Sequence, residues 1–206
     1  MKNIAKHHLY TVNFLVVIIV FIGCSAHKTV ERIETETTVD LSGRWNDTDS
    51  RQVSEAMILD CLNHPWITNH MTQSKAVKPI VIVGAIRNMS MEHIAINTFV
   101  NDIERAFINS GRVTVVASAE ERGELRAEKE DQSEFARAET IKRMRREHGA
   151  DYMMTGEINS IQDREGGTQV TYYQVDLILT DIESNEKIWL GQKKIKKLIE
   201  RKKAVF

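Results

Sequence analysis

Apolar residues along this chain change their spacing several times, and each change marks an element. They run almost unbroken from Leu9 to Ile22 and recur at helical spacing from Val53 to Cys61 and from Ile96 to Phe107. From Tyr152 onward they alternate with polar residues. Asp40–Arg51 opens the first helix. Asp47 or Asp49 stands as its N-cap, Gln52 follows Asp49 by three residues as in a capping box, and Val53, Ala56, Met57 and Cys61 form one stripe. Pro65 ends it, because the residue before a proline is pushed out of the helical region, and Trp66 and Ile67 pack in the connection.

The run Pro79–Ile86, rich in Val and Ile, reads as a central strand covered on both faces. Asn88 or Ser90 then starts a helix through Ile96, Phe99, Ile103, Ala106 and Phe107, stopped by Gly111. Arg112–Ala117 is the next strand. Ser118 and Glu121 form a capping box that launches a charged helical region through Arg146, with a break near Asp131–Ser133 and a stop at Gly149. Tyr152–Ile161, Thr168–Thr180 and Lys187–Ile195, joined by turns at Gly166-Gly167 and Ser184-Asn185, make a three-strand meander. The expected fold is a single α/β domain: a mixed sheet of about five strands with three or more helices, packed mainly on one face.

The N-terminal run changes the picture of where this domain works. Lys2 and Lys6 precede it, and its fourteen residues cover only ~21 Å as a helix, short of a ~30 Å hydrocarbon core. It reads as a signal segment. Phe21-Ile22-Gly23-Cys24 resembles the bacterial lipobox, with Phe21 where Leu is more usual. That resemblance implies cleavage after Gly23 and acylation of Cys24, and Ser25 in the next position implies sorting to the outer membrane. The inner membrane is the alternative. Residues 1–23 are thus the signal peptide, 24–39 the acylated cysteine and a short extended tether, and 40–206 the globular domain. Fifteen residues fully stretched reach at most ~50 Å.

Charge and cysteine content narrow the function. Of the 28 basic residues Lys2 and Lys6 leave with the signal, so 26 face 29 acidic ones, a net charge of about −3. Nucleic acid is not a partner for an exported chain of this balance. Cys61 has no disulfide partner, so packing must hold the domain. From Lys187 to the end the chain carries +7, and Lys193, Lys194, Lys196 and Lys197 are candidate contacts for an acidic partner, with edge-strand protection as the competing explanation. No Ser-x-x-Lys with Lys-Thr-Gly, phosphate loop, His-Glu-x-x-His or paired Cys-x-x-Cys is present. His64 and His70 lack a third ligand, and Asp47 and Asp49 serve a helix cap rather than a cation. The chain reads as a non-enzyme, with no cofactor, metal or small-molecule substrate.

Several separated motifs together resemble one family. DLSGRWNDTDSR, KPIVIVGAIRN, INSGRVTVVAS, GADYMMTGEI and YYQVDLILTDIESNEKIW, spanning about Asp40 to Lys197, are similar to the LpoB family of outer-membrane lipoproteins. The resemblance implies a fold like the N-terminal domain of TolB and a role in activating bifunctional penicillin-binding proteins. Asp40, Arg44, Trp45, Asp47 and Asp49 of the first motif are structural or recognition residues. Well-known members carry a long proline-rich tether, whereas this one is short and has no proline. The partner is a bifunctional peptidoglycan synthase; the alternative is an assembly subunit of an envelope secretion or trans-envelope complex.

Overall fold

The computed structural model describes residues 28–135 and 147–200. The chain divides into two units, Met1–Thr37 and Thr38–Phe206. In the first, residues 28–37 are exposed and hold one turn, closed by the Thr37 amide on the Glu34 carbonyl. The signal run, Cys24, the end of the charged helical region and Arg201, Lys202 and Lys203 lie outside the described residues.

The second unit contains four helices and one sheet among the described residues. In chain order these are α1 (Asp47–Asn63), α2 (Trp66–Gln73), β1 (Ile80–Asn88), α3 (Ile96–Ser110), β2 (Thr114–Val116), α4 (Ala119–Phe135), β3 (Tyr152–Glu165), β4 (Thr168–Asp181) and β5 (Lys187–Glu200). The sheet runs β2-β1-β3-β4-β5, with β1 parallel to both neighbours and the meander antiparallel. It is the expected α/β mixed sheet, with β1 an interior strand.

Two devices let β1 and β3 carry one core face. Between Val83–Met154 and Ile86–Gly156 the β1 register slips by one residue, a bulge. Val81, Val83 and Ile86 therefore all reach the core from an otherwise continuous apolar run. Gly156 is the second device. A Cβ there would strike the Asp176 carbonyl and the Leu177 side chain, so β3 and β4 close only around a glycine.

Onto this face pack α1 and α3. Phe99, Ile103 and Phe107, spaced four apart along α3, are fully buried, each contributing about 1.5–3 kcal/mol relative to exposure. From α1 come Val53, Met57, Ile58, Cys61 and Leu62. Burial pushes the Cys61 thiol up to about 12, which makes it an inert core residue.

Four expectations need correction. The cap of α1 is Asn46: its side chain accepts from the Asp49 amide at 3.0 Å while the Asp49 carboxylate accepts from the Asn46 amide at 3.0 Å. Asp49 is the returning acid of the box, and Asp47 is an exposed first-turn residue. Trp66 and Ile67 begin a separate short helix, α2, beyond Pro65. Helix α3 starts at Ile96 because Asn88 and Ser90 close a polar turn, with the Asn88 side chain accepting from the Ser90 amide and donating to the Glu92 carbonyl. No break occurs at Asp131–Ser133, where α4 continues to Phe135.

The strand expected over Arg112–Ala117 keeps only Thr114–Val116, while other signals hold. Ser118 and Glu121 make a reciprocal box at α4, Gly111 caps α3 at φ 64°, and β3 and β5 simply run further than the alternation suggested. Gly156→Ala should lower stability by about 2 kcal/mol through overpacking against the β4 backbone. A urea denaturation midpoint unchanged from wild type would show that β4 can move aside.

Candidate functional site

The conspicuous motif before α1 and the basic end of β5 meet at one side chain. Lys197 points to the helix-bearing face of β5, where its Nζ donates to Asp40 Oδ1 at 2.6 Å, Asp49 Oδ2 at 2.6 Å and the Arg44 carbonyl at 3.0 Å. Its side chain is only 10% exposed and that of Asp49 8%, whereas Asp40 is 47% exposed. Asn46 extends the node, donating from Nδ2 to Asp40 Oδ1 at 2.7 Å. Burial by itself would lower the Lys197 pKa, but the hydrogen bonds to Asp40 and Asp49 outweigh it and the net shift is upward. Asp40 is held below the usual carboxylate range, chiefly by the hydrogen bond from Lys197 and against the opposing effect of burial.

Gly43 explains how the approach segment fits here. It sits at φ 68° against the Ile199 side chain, where a Cβ would collide. The chain can thus cross the end of β5 closely enough for Arg44 to offer its carbonyl to Lys197. Trp45 follows and turns inward. Its indole lies edge-on to Phe99 and Tyr173, with ring centroids 6.3 and 5.5 Å away, and its Nε1 donates to Ser50 Oγ at 2.7 Å.

Glu92 forms a second node beneath this segment. Its carboxylate accepts from the Trp45 amide at 3.1 Å, the Tyr173 hydroxyl at 2.8 Å and Gln162 Nε2 at 3.1 Å. Burial first, and then this carboxylate, push the Tyr173 phenol well up, so it remains a donor. Beside Glu92 opens a recess of about 260 Å³ lined also by Arg44, His93, Arg164 and Gln162. With Glu92 already taken by three donors, the recess presents to an incoming acid the guanidinium groups of Arg44 and of Arg164, the latter already donating to Gln169 Oε1. Met91 is 79% exposed beside it and Leu41, on the same approach segment, 94%.

The four candidate lysines do not form one surface. Side chains alternate along β5, so Lys193 and Lys197 project to the helix side and Lys194 and Lys196 to the opposite face. Lys197 is consumed by the clamp, while Lys193, Lys194 and Lys196 are exposed. Asp40, Arg44, Asp49 and Lys197 are brought together, with Trp45 next to them, and Asp47 stands apart. Sequence reasoning missed Asn46, Glu92, Tyr173 and Arg164. Asn46 was findable from its spacing to Asp49, but Glu92 is joined to Tyr173 and Gln162 across 81 and 70 residues, with no local signal.

Among the described residues no group of three His, Cys, Asp or Glu is placed to hold a metal ion, and no helix is long and apolar enough to cross a membrane. His70 uses Nδ1 on the Tyr152 hydroxyl at 2.9 Å, and His64 is the exposed C-cap of α1. What the fold defines is an α/β domain whose distinctive polar groups are spent on holding a surface in shape. The family model described as peptidoglycan-synthase activator LpoB matches residues 49–195, and the chain belongs to that family.

Solved structures similar to it include the LpoB C-terminal domains of Salmonella enterica and Escherichia coli. Each is 14% identical and aligns over 71% of this chain and 98% of theirs, with TM-scores of 0.41 and 0.42. Lipoprotein GNA1162 from Neisseria meningitidis is 16% identical over 58% of this chain and 83% of its own, with a TM-score of 0.36. No curated protein matches the sequence.

Two substitutions test the corner. Lys197→Ala leaves Asp49 buried without its cation and should cost about 3 kcal/mol near neutral pH. The lowered Asp40 pKa contributes stability above its unfolded value that is lost as pH falls through the folded one, and the raised Lys197 pKa contributes stability lost only in strong alkali. The wild-type advantage over Lys197→Ala should therefore be flat from about pH 5 to 10 and shrink below pH ~4, measured by thermal melts across pH. Trp45→Ala should cost about 3 kcal/mol through lost packing on Phe99 and Tyr173; full stability with partner binding lost would instead make Trp45 a contact residue.

Proposed function

We propose that this protein is a lipid-anchored, non-enzymatic regulator that binds a bifunctional penicillin-binding protein and shifts it toward its active state, thereby stimulating peptidoglycan synthesis. Membership of the activator family over residues 49–195 carries the reading. Its leverage is differential affinity: it activates by binding the active conformation of the synthase more tightly than the resting one. Each tenfold difference in affinity between the two states supplies about 1.4 kcal/mol of bias.

The corner built by Lys197 suits the contact. Arg44, Arg164 and the exposed Met91 border the recess, Leu41 is exposed on the approach segment, and Lys193, Lys194 and Lys196 add positive charge along β5. An acidic patch on the synthase, with an apolar anchor, complements these groups. Acylated Cys24 supplies the membrane attachment, to the outer membrane by the residue that follows it. With a tether of only ~50 Å at full stretch, a synthase in the opposite membrane must extend to meet this domain.

Pull-down of the detergent-solubilised lipoprotein should recover a bifunctional synthase, and glycan polymerisation by that synthase should rise when the protein is added. Recovery of an export channel without a synthase would sink the proposal. Cys24→Ala should abolish membrane fractionation and cut activation in cells, because confinement raises the effective concentration, while leaving affinity in solution unchanged. Replacing Lys193, Lys194 and Lys196 by Glu should slow association and flatten its salt dependence with the melting temperature kept.

A further inference from the structure

Helices α1 and α3 cover one face of the sheet, and no described helix packs across the opposite face of β3, β4 and β5. Side chains alternate along each strand, so this open face carries the odd-numbered residues of β3, the even-numbered residues of β4 and, from Leu190, those of β5. Register sets Ile161 beside Tyr172 and Lys196, and Asp163 beside Val170 and Leu198. Ile161, Leu190 and Leu198 are all exposed there, and large aliphatic side chains gathered on one open face mark an interaction surface.

The polar groups in the middle of the face bond to one another. The Tyr172 hydroxyl donates to Gln174 Oε1 at 3.1 Å, Gln174 Nε2 to Asp176 Oδ2 at 2.7 Å, and Gln192 Nε2 to Asp176 Oδ1 at 2.8 Å. Covering them therefore leaves few polar atoms without a partner. Charge gathers at the two sides, with Glu157 and Asp163 exposed on β3 and Lys194 and Lys196 exposed on β5. Arg87 of β1 flanks Glu157 from outside, and Glu165 and Glu200 share the last row, beyond these four.

A face that is acidic along one side, basic along the other and self-satisfied between them is complementary to itself. We propose that it binds a second copy of this chain, about a two-fold axis parallel to β4 that lays β3 of each copy over β5 of the other. Lys194 and Lys196 then come within one row of Glu157 and Asp163 across the interface, while Tyr172 and Gln174 meet their own counterparts on the axis. Packed sheets stand ~10 Å apart, a gap that lysine and carboxylate side chains span together. From Met153 to Asp163 the three strands present roughly 540 Å² per copy, at ~3.4 Å per residue and ~4.8 Å between strands, or about 1,100 Å² in all. That is just past the ~1,000 Å² a specific interface needs, so the dimer forms reversibly. The Arg44 recess and Lys193 lie on the helix-bearing side and stay open, so the inference stands whether or not a synthase binds there.

The test follows the full chain by sedimentation equilibrium in nonionic detergent, with micelles in molar excess over protein and no synthase present. Wild type should show a monomer–dimer equilibrium that weakens as salt is raised. Lys194→Glu with Lys196→Glu, and separately Glu157→Lys with Asp163→Lys, should each weaken dimerisation at least tenfold while keeping the melting temperature. Mixed in equal amounts, the two double variants should associate with each other to within about threefold of the wild-type constant, because each then offers the charge that the other faces. A monomeric wild type, dimers insensitive to either pair of substitutions, or a mixture that associates no better than each variant alone overturns the proposal.

Discussion

One buried ammonium holds the surface together. Lys197 joins the last strand to the segment that precedes the first helix, across 157 residues to Asp40 and 148 to Asp49. Two charges out of water are costly unless each finds partners, and here the partners also organise the backbone. Asp49 completes the Asn46 capping box, Asp40 binds the Asn46 side-chain amide, and the Arg44 carbonyl is drawn over the strand. Arg44, the recess beside Glu92 and the inward turn of Trp45 all depend on that geometry.

Much of the fold could be read from spacing. Long periodic stretches such as Ile96–Phe107 and the alternating meander were clear because their burial is local in sequence and one face decides it. Boundaries were less legible where polar side chains had two uses: Asn88 and Ser90 can cap a helix or close a turn, and the turn wins because Glu92 supplies a carbonyl to bind. The cap of α1 was misplaced by one residue or more for a similar reason, since Asn46, Asp47, Thr48 and Asp49 are all residue types that cap helices.

The site was legible in its parts and hidden in its union. Asp40, Arg44, Trp45 and Asp49 stood out as a motif, and Lys197 as one member of a basic run. Their meeting depends on the strand order β2-β1-β3-β4-β5 and on the face each β5 residue takes, which a single register step would reverse. Glu92, bonded to residues from three distant segments, belongs to the same class of long-range information.

The clamp also decides how the domain responds to load. Tension applied through the residues before Asp40 reaches the folded body at a point fastened to β5, an edge strand held by one neighbour. Pulling therefore bears on Lys197 before it bears on the core, and rupture of that one cluster would free the segment carrying Arg44 while α1, α3 and the inner strands stay packed. The Lys197 cluster is thus the first link to meet a pull from before Asp40, and the segment carrying Arg44 comes away ahead of the packed core.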